Sequence, residues 1–291
     1  MKPPPFDYLA PASVEEAFAL LGDLGEGAKA LAGGQSLVPM LNFRLVRPRH
    51  LVDLNGLTEL AGIREDDGRL VIGAMTRQRA VERSALVRAR CPLLAEAMPQ
   101  IGHVQIRNQG TIGGSLAHAD PAAELPALLV CLEGSVVVRS PAGHREVRAR
   151  ELFVSHLTTS LRPDELITEV RLPRLQTGAG WGFLEVARRH GDFALVGAAA
   201  VVSLASGRIA APRVALFGCG ATPVRATRAE AILAGQLPTP EAVAAAARDA
   251  AGALAPESDL HATAEYRRRV AQTLIGRALG LAIGRARGDG P

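Results

Sequence analysis

The sequence predicts an α+β protein built in two successive parts, and three observations carry that prediction. Residues 176–180 (Gln-Thr-Gly-Ala-Gly) are small and flexible, a composition that marks a boundary between compact units. Beyond them apolar runs of strand length come first and alanine-rich helical sequence last, the order expected of an α+β unit. The length, 291 residues, leaves room for two or three units of ordinary size.

The elements follow from local chemistry. Pro3, Pro4 and Pro5 stiffen an extended start. Ser13 followed by Glu16 is a capping box, and the helix it opens carries Ala17, Leu20 and Leu21 on one face and is expected to stop at Gly22. Residues 28–32 read as a short strand ended by Gly33 and Gly34. Residues 36–43 can open a short helix with Pro39 in its first turn, and residues 51–54 read as a strand. Residues 57–76 form a small β unit whose strongest strand is 70–73 and whose turn is Asp66-Asp67-Gly68. Thr76 is placed to cap a helix running through Ala80 and Val81, and residues 93–98 are helical. An apolar helix covers 122–132, and residues 135–139 and 144–147 flank a hairpin turn at 140–143. In the second part, strands are expected near 183–187, 197–204 and 213–218. Helices are expected at 226–233, 240–251 and 262–283, with a frayed end over 287–291.

Composition excludes several classes. Hydrophobic residues make up 48% of the chain, enough for a core, so disorder throughout is excluded. The net charge of +4 reads as a solvated, arginine-rich surface. Nucleic-acid binding would need a basic stripe with interleaved aromatics, and the nearest run, residues 265–269, lies on a helical pattern as a solvated face. Three distant cysteines, Cys91, Cys131 and Cys219, make neither a disulfide framework nor a CxxC pair. The opening residues lack the apolar core of a signal peptide, and no run is long and apolar enough for a membrane span. The expected address is cytoplasmic.

Phosphate-binding P-loop, Rossmann, HExxH and GxSxG motifs are absent, and the seven histidines show no metal spacing. What stands out is a pair of similar loops. One is Ala32, Gly33, Gly34, Gln35 and Ser36; the other is Thr111, Ile112, Gly113, Gly114 and Ser115. Glycine pairs let a ligand approach the backbone, and successive N–H groups in such turns form anion nests, so two facing nests would suit a diphosphate. Either loop alone reads equally well as an ordinary tight turn. The second, however, lies in a long polar, glycine-rich tract (residues 106–124) that is costly to order unless it binds something.

These two loops, with Leu37-Val38-Pro39 after the first and Ile106-Arg107-Asn108-Gln109-Gly110 before the second, resemble the FAD-binding subunits of molybdenum hydroxylases. That family includes the medium subunit of carbon monoxide dehydrogenases and the FAD subunit of xanthine dehydrogenases. The opening Pro-Phe-Asp-Tyr-Leu-Ala-Pro-Ala-Ser and the tract Arg188-Arg189-His190-Gly191-Asp192-Phe193-Ala194 extend the resemblance over nearly the whole chain. It implies a two-subdomain FAD-binding region of the vanillyl-alcohol-oxidase (PCMH) type over residues 1–177, divided near 56/57, and a smaller C-terminal α/β domain over 178–286. It implies that Ala32, Gly33, Gly34, Gln35, Ser36, Leu37, Thr111, Ile112, Gly113, Gly114 and Ser115 hold the FAD diphosphate. Asp120 and Glu124 would meet the ribityl chain or nearby polar atoms, although many relatives have Asp where this chain has Glu124. Phe193 would stack on the isoalloxazine, with a core phenylalanine as the alternative. Gln35 stands where some proteins of the broader fold carry a covalently attached histidine, so the FAD is expected to be dissociable.

The resemblance also implies an assembly. A large subunit would hold the molybdenum cofactor and a small one the [2Fe–2S] clusters, in a heterotrimer or its dimer. Electrons would pass through FAD to an external acceptor, and no residue of this chain would be catalytic. The inserted cysteines of relatives with an extra [4Fe–4S] cluster are absent. Two other readings stand beside it: a stand-alone FAD-dependent oxidoreductase of the same fold, and a flavin-free structural subunit.

Overall fold

The computed structural model describes residues 2–289; Met1, Gly290 and Pro291 lie outside the described residues. The expected frayed end therefore falls partly beyond view. Within it, the helix Ala264–Arg287 closes on Gly288 (φ 81°), whose N–H and that of Asp289 return to the carbonyls of Arg285 and Gly284.

Three strands near the N-terminus form a parallel sheet, with His50–Asp53 between Asp7–Leu9 and Ala28–Leu31. The helix Val14–Leu24 makes the crossover between the first two strands in sequence. Ser13 Oγ accepts the Glu16 N–H at 3.1 Å, while the Glu16 carboxylate reaches back to the Ala12 N–H at 2.7 Å, so the capping box closes one residue earlier than its usual form. The helix runs through Gly22, its expected stop, to Leu24. Gly22 is exposed and touches nothing, costing only about 1 kcal/mol of helix propensity, whereas Val14, Ala17, Phe18 and Leu21 bury the opposite face.

A five-stranded antiparallel sheet follows, in the spatial order Ile63–Asp66, Arg69–Gly73, Leu166–Pro173, Ser135–Ser140 and Gly143–Arg148. The turn at Asp67 and Gly68 has both residues at positive φ (46° and 68°), as a two-residue hairpin of the primed type requires. The central strand, Leu166–Pro173, was not legible in the sequence. Its Glu169 and Arg171 look like loop residues but pair with one another at 2.9 Å, and Glu169 also binds Arg64 at 2.6 Å.

Helices Gln78–Arg83, Ala85–Arg90, Pro92–Ala97, Val104–Gln109, Ile112–His118 and Glu124–Cys131 fill the space beside this sheet. Thr76 does not cap the first of them. Its hydroxyl bridges the N–H and carbonyl of Gly62 (2.9 and 3.0 Å), and its own carbonyl is held by the Ile112 N–H, so the chain stays extended through Arg77 before the helix starts.

The third sheet is an antiparallel meander of Gly180–Ala187, Ala194–Ala205, Arg208–Phe217 and Val224–Arg225. Helices Thr227–Leu233, Pro240–Gly252 and Ala264–Arg287 cover one of its faces. Val196, Ala198, Ala200 and Val202 point to those helices, and Ala199 and Val201 point to the core of the middle part. Burial on both faces explains the near-continuous apolar run of that strand. A polar tie fixes the contact between the two parts. Glu96 accepts from Trp181 Nε1 (2.8 Å) and from Arg285 (2.7 Å), and the Arg285 guanidinium lies 4.8 Å from the Trp181 ring centroid.

Candidate functional site

The first loop leaves the strand Ala28–Leu31 at its carboxyl end, beside the end of His50–Asp53. In open α/β sheets that is the rim where ligands settle. Gly34 turns the chain at φ 70°, and the helix Leu37–Asn42 starts directly after Ser36. None of the five consecutive N–H groups of Gly33, Gly34, Gln35, Ser36 and Leu37 donates to a backbone carbonyl among the described residues. Four of the five carbonyls behind them are held, that of Gln35 being the exception because Pro39 has no N–H to give it. Asn55 Nδ2 binds the Ala32 oxygen (2.9 Å), Gln35 Nε2 binds that of Gly33 (3.0 Å), and the N–H groups of Val38 and Met40 take those of Gly34 and Ser36. In a trans peptide the N–H points opposite the carbonyl, so fixing one aims the other. The loop is an anion nest with four of its five donors aimed and all five free of backbone acceptors.

The second loop is built differently. Residues 111–115 are the start of the helix Ile112–His118, with Thr111 at its N-cap accepting the Gly114 N–H at 3.2 Å. The Ile112 N–H binds the Thr76 carbonyl (3.1 Å), that of Gly113 binds Ala74 (2.8 Å), and that of Ser115 binds Thr111 (3.2 Å). The expectation of two facing nests is thus corrected: one loop is a nest, and the other has spent these donors on the protein. Its glycines serve close approach. A methyl group on Gly113 would run into Ala74, and one on Gly114 into the Thr111 hydroxyl and Ala32. The tract 106–124 is likewise mostly helical rather than a long loop.

The loops nonetheless meet. Gly33 lies directly on the Gln109 carbonyl and Gly110, and Ala32 faces Gly114. Arg77, which the sequence reading passed over, joins them: its guanidinium binds the Gln109 carbonyl and, at 2.7 Å, the Asn55 side-chain oxygen. Arg107 stabilises the approach from within, buried against Glu82 and the carbonyls of Pro99, Ile101 and Gly102. The C-terminal tract reaches the same region. Gly191 (φ 88°) packs on Gly102 and His103, and the rings of His103 and His190 stack with centroids 6.4 Å apart.

Asp120 holds the Ala122 N–H at 2.8 Å and shapes the turn before the helix Glu124–Cys131. Glu124 is buried at the start of that helix, and burial pushes its carboxyl up to about 7, with the neighbouring Asp120 charge adding to the effect. Glu185, on the face of Gly180–Ala187 that it shares with Phe183, was missed. Burial and the Glu124 carboxyl raise it to about 8, and its Oε2 has no hydrogen-bond partner among the described residues. A lone glutamate between Leu184 and Val186 was the available signal. Phe193 is 60% exposed, which overturns the core alternative.

Comparison with known proteins places this geometry. Residues 4–175 match the family model described as the FAD binding domain in molybdopterin dehydrogenase, and residues 181–282 match the CO dehydrogenase flavoprotein C-terminal domain. The chain belongs to the flavoprotein subunits of the molybdenum hydroxylases. It is 47% identical to the 6-hydroxypseudooxynicotine dehydrogenase complex subunit alpha of Paenarthrobacter nicotinovorans, covering 99% of this chain and 97% of that one. It is 42% identical to the carbon monoxide dehydrogenase medium chain of Hydrogenophaga pseudoflava (98% and 99% covered). Among solved structures, the carbon monoxide dehydrogenase from Hydrogenophaga pseudoflava that lacks the Mo-pyranopterin moiety superposes with a TM-score of 0.96 at 44% identity, over 98% of this chain and 99% of that one.

As a molybdenum-hydroxylase flavoprotein subunit, the chain is an FAD-binding oxidoreductase component, and its role is electron transfer. Its own residues fit the cofactor. A row of unspent N–H groups suits a diphosphate, the Glu124 and Glu185 carboxyls, both raised above the ordinary carboxylate range by burial, can offer or accept a hydrogen bond toward hydroxyls, and an exposed phenylalanine offers a stacking face. Among the described residues no group of three or more His, Cys, Asp or Glu could hold a metal, and no helix is long and apolar enough to cross a membrane.

Proposed function

We propose that the chain holds dissociable FAD with its diphosphate on the nest from Ala32 to Leu37, walled by Thr111, Ile112, Gly113, Gly114 and Ser115. Asp120 and Glu124 face its polar linker, and Phe193 lies against its ring system. The row of five N–H groups free of backbone acceptors carries this reading. Bound FAD supplies the exchange between one-electron and two-electron transfer. The protein binds it, orients it and excludes water around it. Asn55, Gln35, Val38 and Met40 fix the peptide planes that present the donors. The engaged second loop gives a rigid wall that costs no reorganisation when the ligand arrives.

The chain works, in this proposal, between a small subunit carrying [2Fe–2S] clusters and an external acceptor. A large subunit carries the molybdenum cofactor, and the assembly is a heterotrimer or its dimer in the cytoplasm. The names of its relatives as complex subunits and medium chains support such an assembly. The division between residues 1–177 and 178–286 is supported by the two family-model matches, 4–175 and 181–282, and the split near 56/57 by the change there from the parallel to the antiparallel sheet, although Leu57, Leu60, Met75 and Leu166 pack into the N-terminal apolar cluster.

Co-expression with the neighbouring genes, followed by purification and an absorbance spectrum, tests the proposal. The expected result is a flavin spectrum in a complex that also shows iron–sulfur absorption. A complex saturated with partners but free of flavin would defeat the cofactor reading. A lone chain that oxidises a substrate unaided would defeat the subunit reading.

A further inference from the structure

We infer that Asn55 and Arg77 are positioning residues for the flavin diphosphate, acting together as a bridge that aims the first donors of the nest and fixes the two loops against each other. The inference rests on the FAD reading above and deepens it. Asn55 uses its whole side-chain amide. Nδ2 donates to the Ala32 carbonyl at 2.9 Å and also to the Asp53 carboxylate, while Oδ1 accepts from Arg77 Nη2 at 2.7 Å. The other Arg77 nitrogen, Nη1, binds the Gln109 carbonyl. The two carbonyls the bridge holds are therefore the one preceding Gly33 and the one on which Gly33 rests. Holding the Ala32 oxygen turns the Gly33 N–H, the first donor of the nest, to the opposite side. Holding the Gln109 oxygen keeps the lead-in to Thr111 beneath that peptide.

Asparagine is the residue type this position needs. It must donate twice and accept once, and an aspartate of the same shape could do only the last. Arginine suits position 77 because one planar fork reaches two oxygens on different loops, which a lysine ammonium at the end of a flexible stem would not hold in fixed geometry. Asp53 anchors the far end, accepting from Tyr8 and from the Asn55 N–H (3.0 Å). The bridge thus continues the rim of the parallel sheet into the site.

The test uses the 291-residue chain, stripped of flavin and titrated with FAD, in the variants Asn55→Ala and Arg77→Met with Gly34→Ala as reference. The positioning role predicts FAD affinity at least tenfold weaker in both bridge variants. It also predicts displaced phosphorus NMR signals of the bound diphosphate and an unchanged visible flavin band. A purely structural role would instead lower the melting temperature of the flavin-free chain and disturb the visible band together with the phosphorus signals. If Asn55→Ala fails to fold, Arg77→Met opens the same bridge from its other end. Wild-type affinity and phosphorus signals in the bridge variants, with both altered in Gly34→Ala, overturn the inference and leave the FAD site standing. Wild-type behaviour in Gly34→Ala as well overturns the diphosphate assignment itself.

Discussion

Gly33 rests on the carbonyl of Gln109 so closely that a single methyl group at residue 33 would overlap that oxygen and crowd the Cα of Gly110. Both neighbours are backbone, and both lie at the junction of the two loops, so neither can swing aside. Gly33→Ala should cost about 1–3 kcal/mol of stability, the usual range for overpacking, and should abolish tight FAD binding. Gly22→Ala is the contrasting case. Residue 22 is helical, exposed and free of neighbours, so the same change there should stabilise the chain by about 0.5–1 kcal/mol. Urea denaturation of the two variants checks the opposite signs, and a stabilising or neutral Gly33→Ala would remove the packing argument.

The tie at Glu96 predicts how firmly the C-terminal sheet is seated. Glu96→Ala removes the acceptor of both Trp181 Nε1 and Arg285. The carboxyl is about one-third exposed, at 32%, so water softens the loss, and a cost of about 1–2 kcal/mol is expected. Glu96→Gln keeps an acceptor for both donors and should cost less than half as much. Chemical denaturation monitored at Trp181 fluorescence reads both values, and equal losses in the two variants would mean that charge rather than hydrogen bonding holds the tie.

How much of this was legible depended on the range of the interaction. The capping box at Ser13 and Glu16, the primed turn at Asp67 and Gly68, and the doubly buried strand through Ala198, Ala199 and Ala200 are set by neighbours a few residues apart, and the sequence displays them. The two glycine-rich segments were found for the same reason, but their donor states were not. Whether the Gly113 N–H is free depends on Ala74, and whether the Gly33 N–H is aimed depends on Asn55, each through contacts made only on folding. Arg77 and Asn55 are 22 residues apart and carry no shared local signature. The central strand with Glu169 and Arg171 was hidden because its charges are neutralised by strand neighbours, which a single strand does not reveal.

Glu124 and Glu185 give the chain a pH dependence of definite sign. Both carboxyls are raised in the folded state, to about 7 and about 8, mainly by burial. From the ordinary carboxylate range up to those values the folded chain binds protons that the unfolded chain has lost. Stability contributed by the pair is therefore lost as the pH rises through that window and regained on acidification, with a limiting slope of about 1.4 kcal/mol per pH unit for each titrating group. The flavin-free chain should melt at a higher temperature near pH 6 than near pH 9, and Glu185→Gln should flatten the difference. A slope identical to that of the wild type would show that Glu185 is not a carboxyl that stays protonated in this window.

Phe193 separates binding from stability. It is 60% exposed, so its truncation leaves no cavity, and Phe193→Ala should change the stability of the flavin-free chain by less than about 0.5 kcal/mol. The same change should weaken FAD binding, because a stacked aromatic contributes about 0.5–1.5 kcal/mol beyond its buried area, a factor of roughly two to ten in affinity. Phe193→Tyr retains the ring and should bind FAD as the wild type does. Calorimetric titration of each flavin-free variant with FAD reads both affinities. Unchanged affinity in Phe193→Ala would place the isoalloxazine away from this residue. The tract from Arg188 to Ala194 would then owe its position to its contacts within the protein, the packing of Gly191 on Gly102 and His103 and the stacking of His190 on His103.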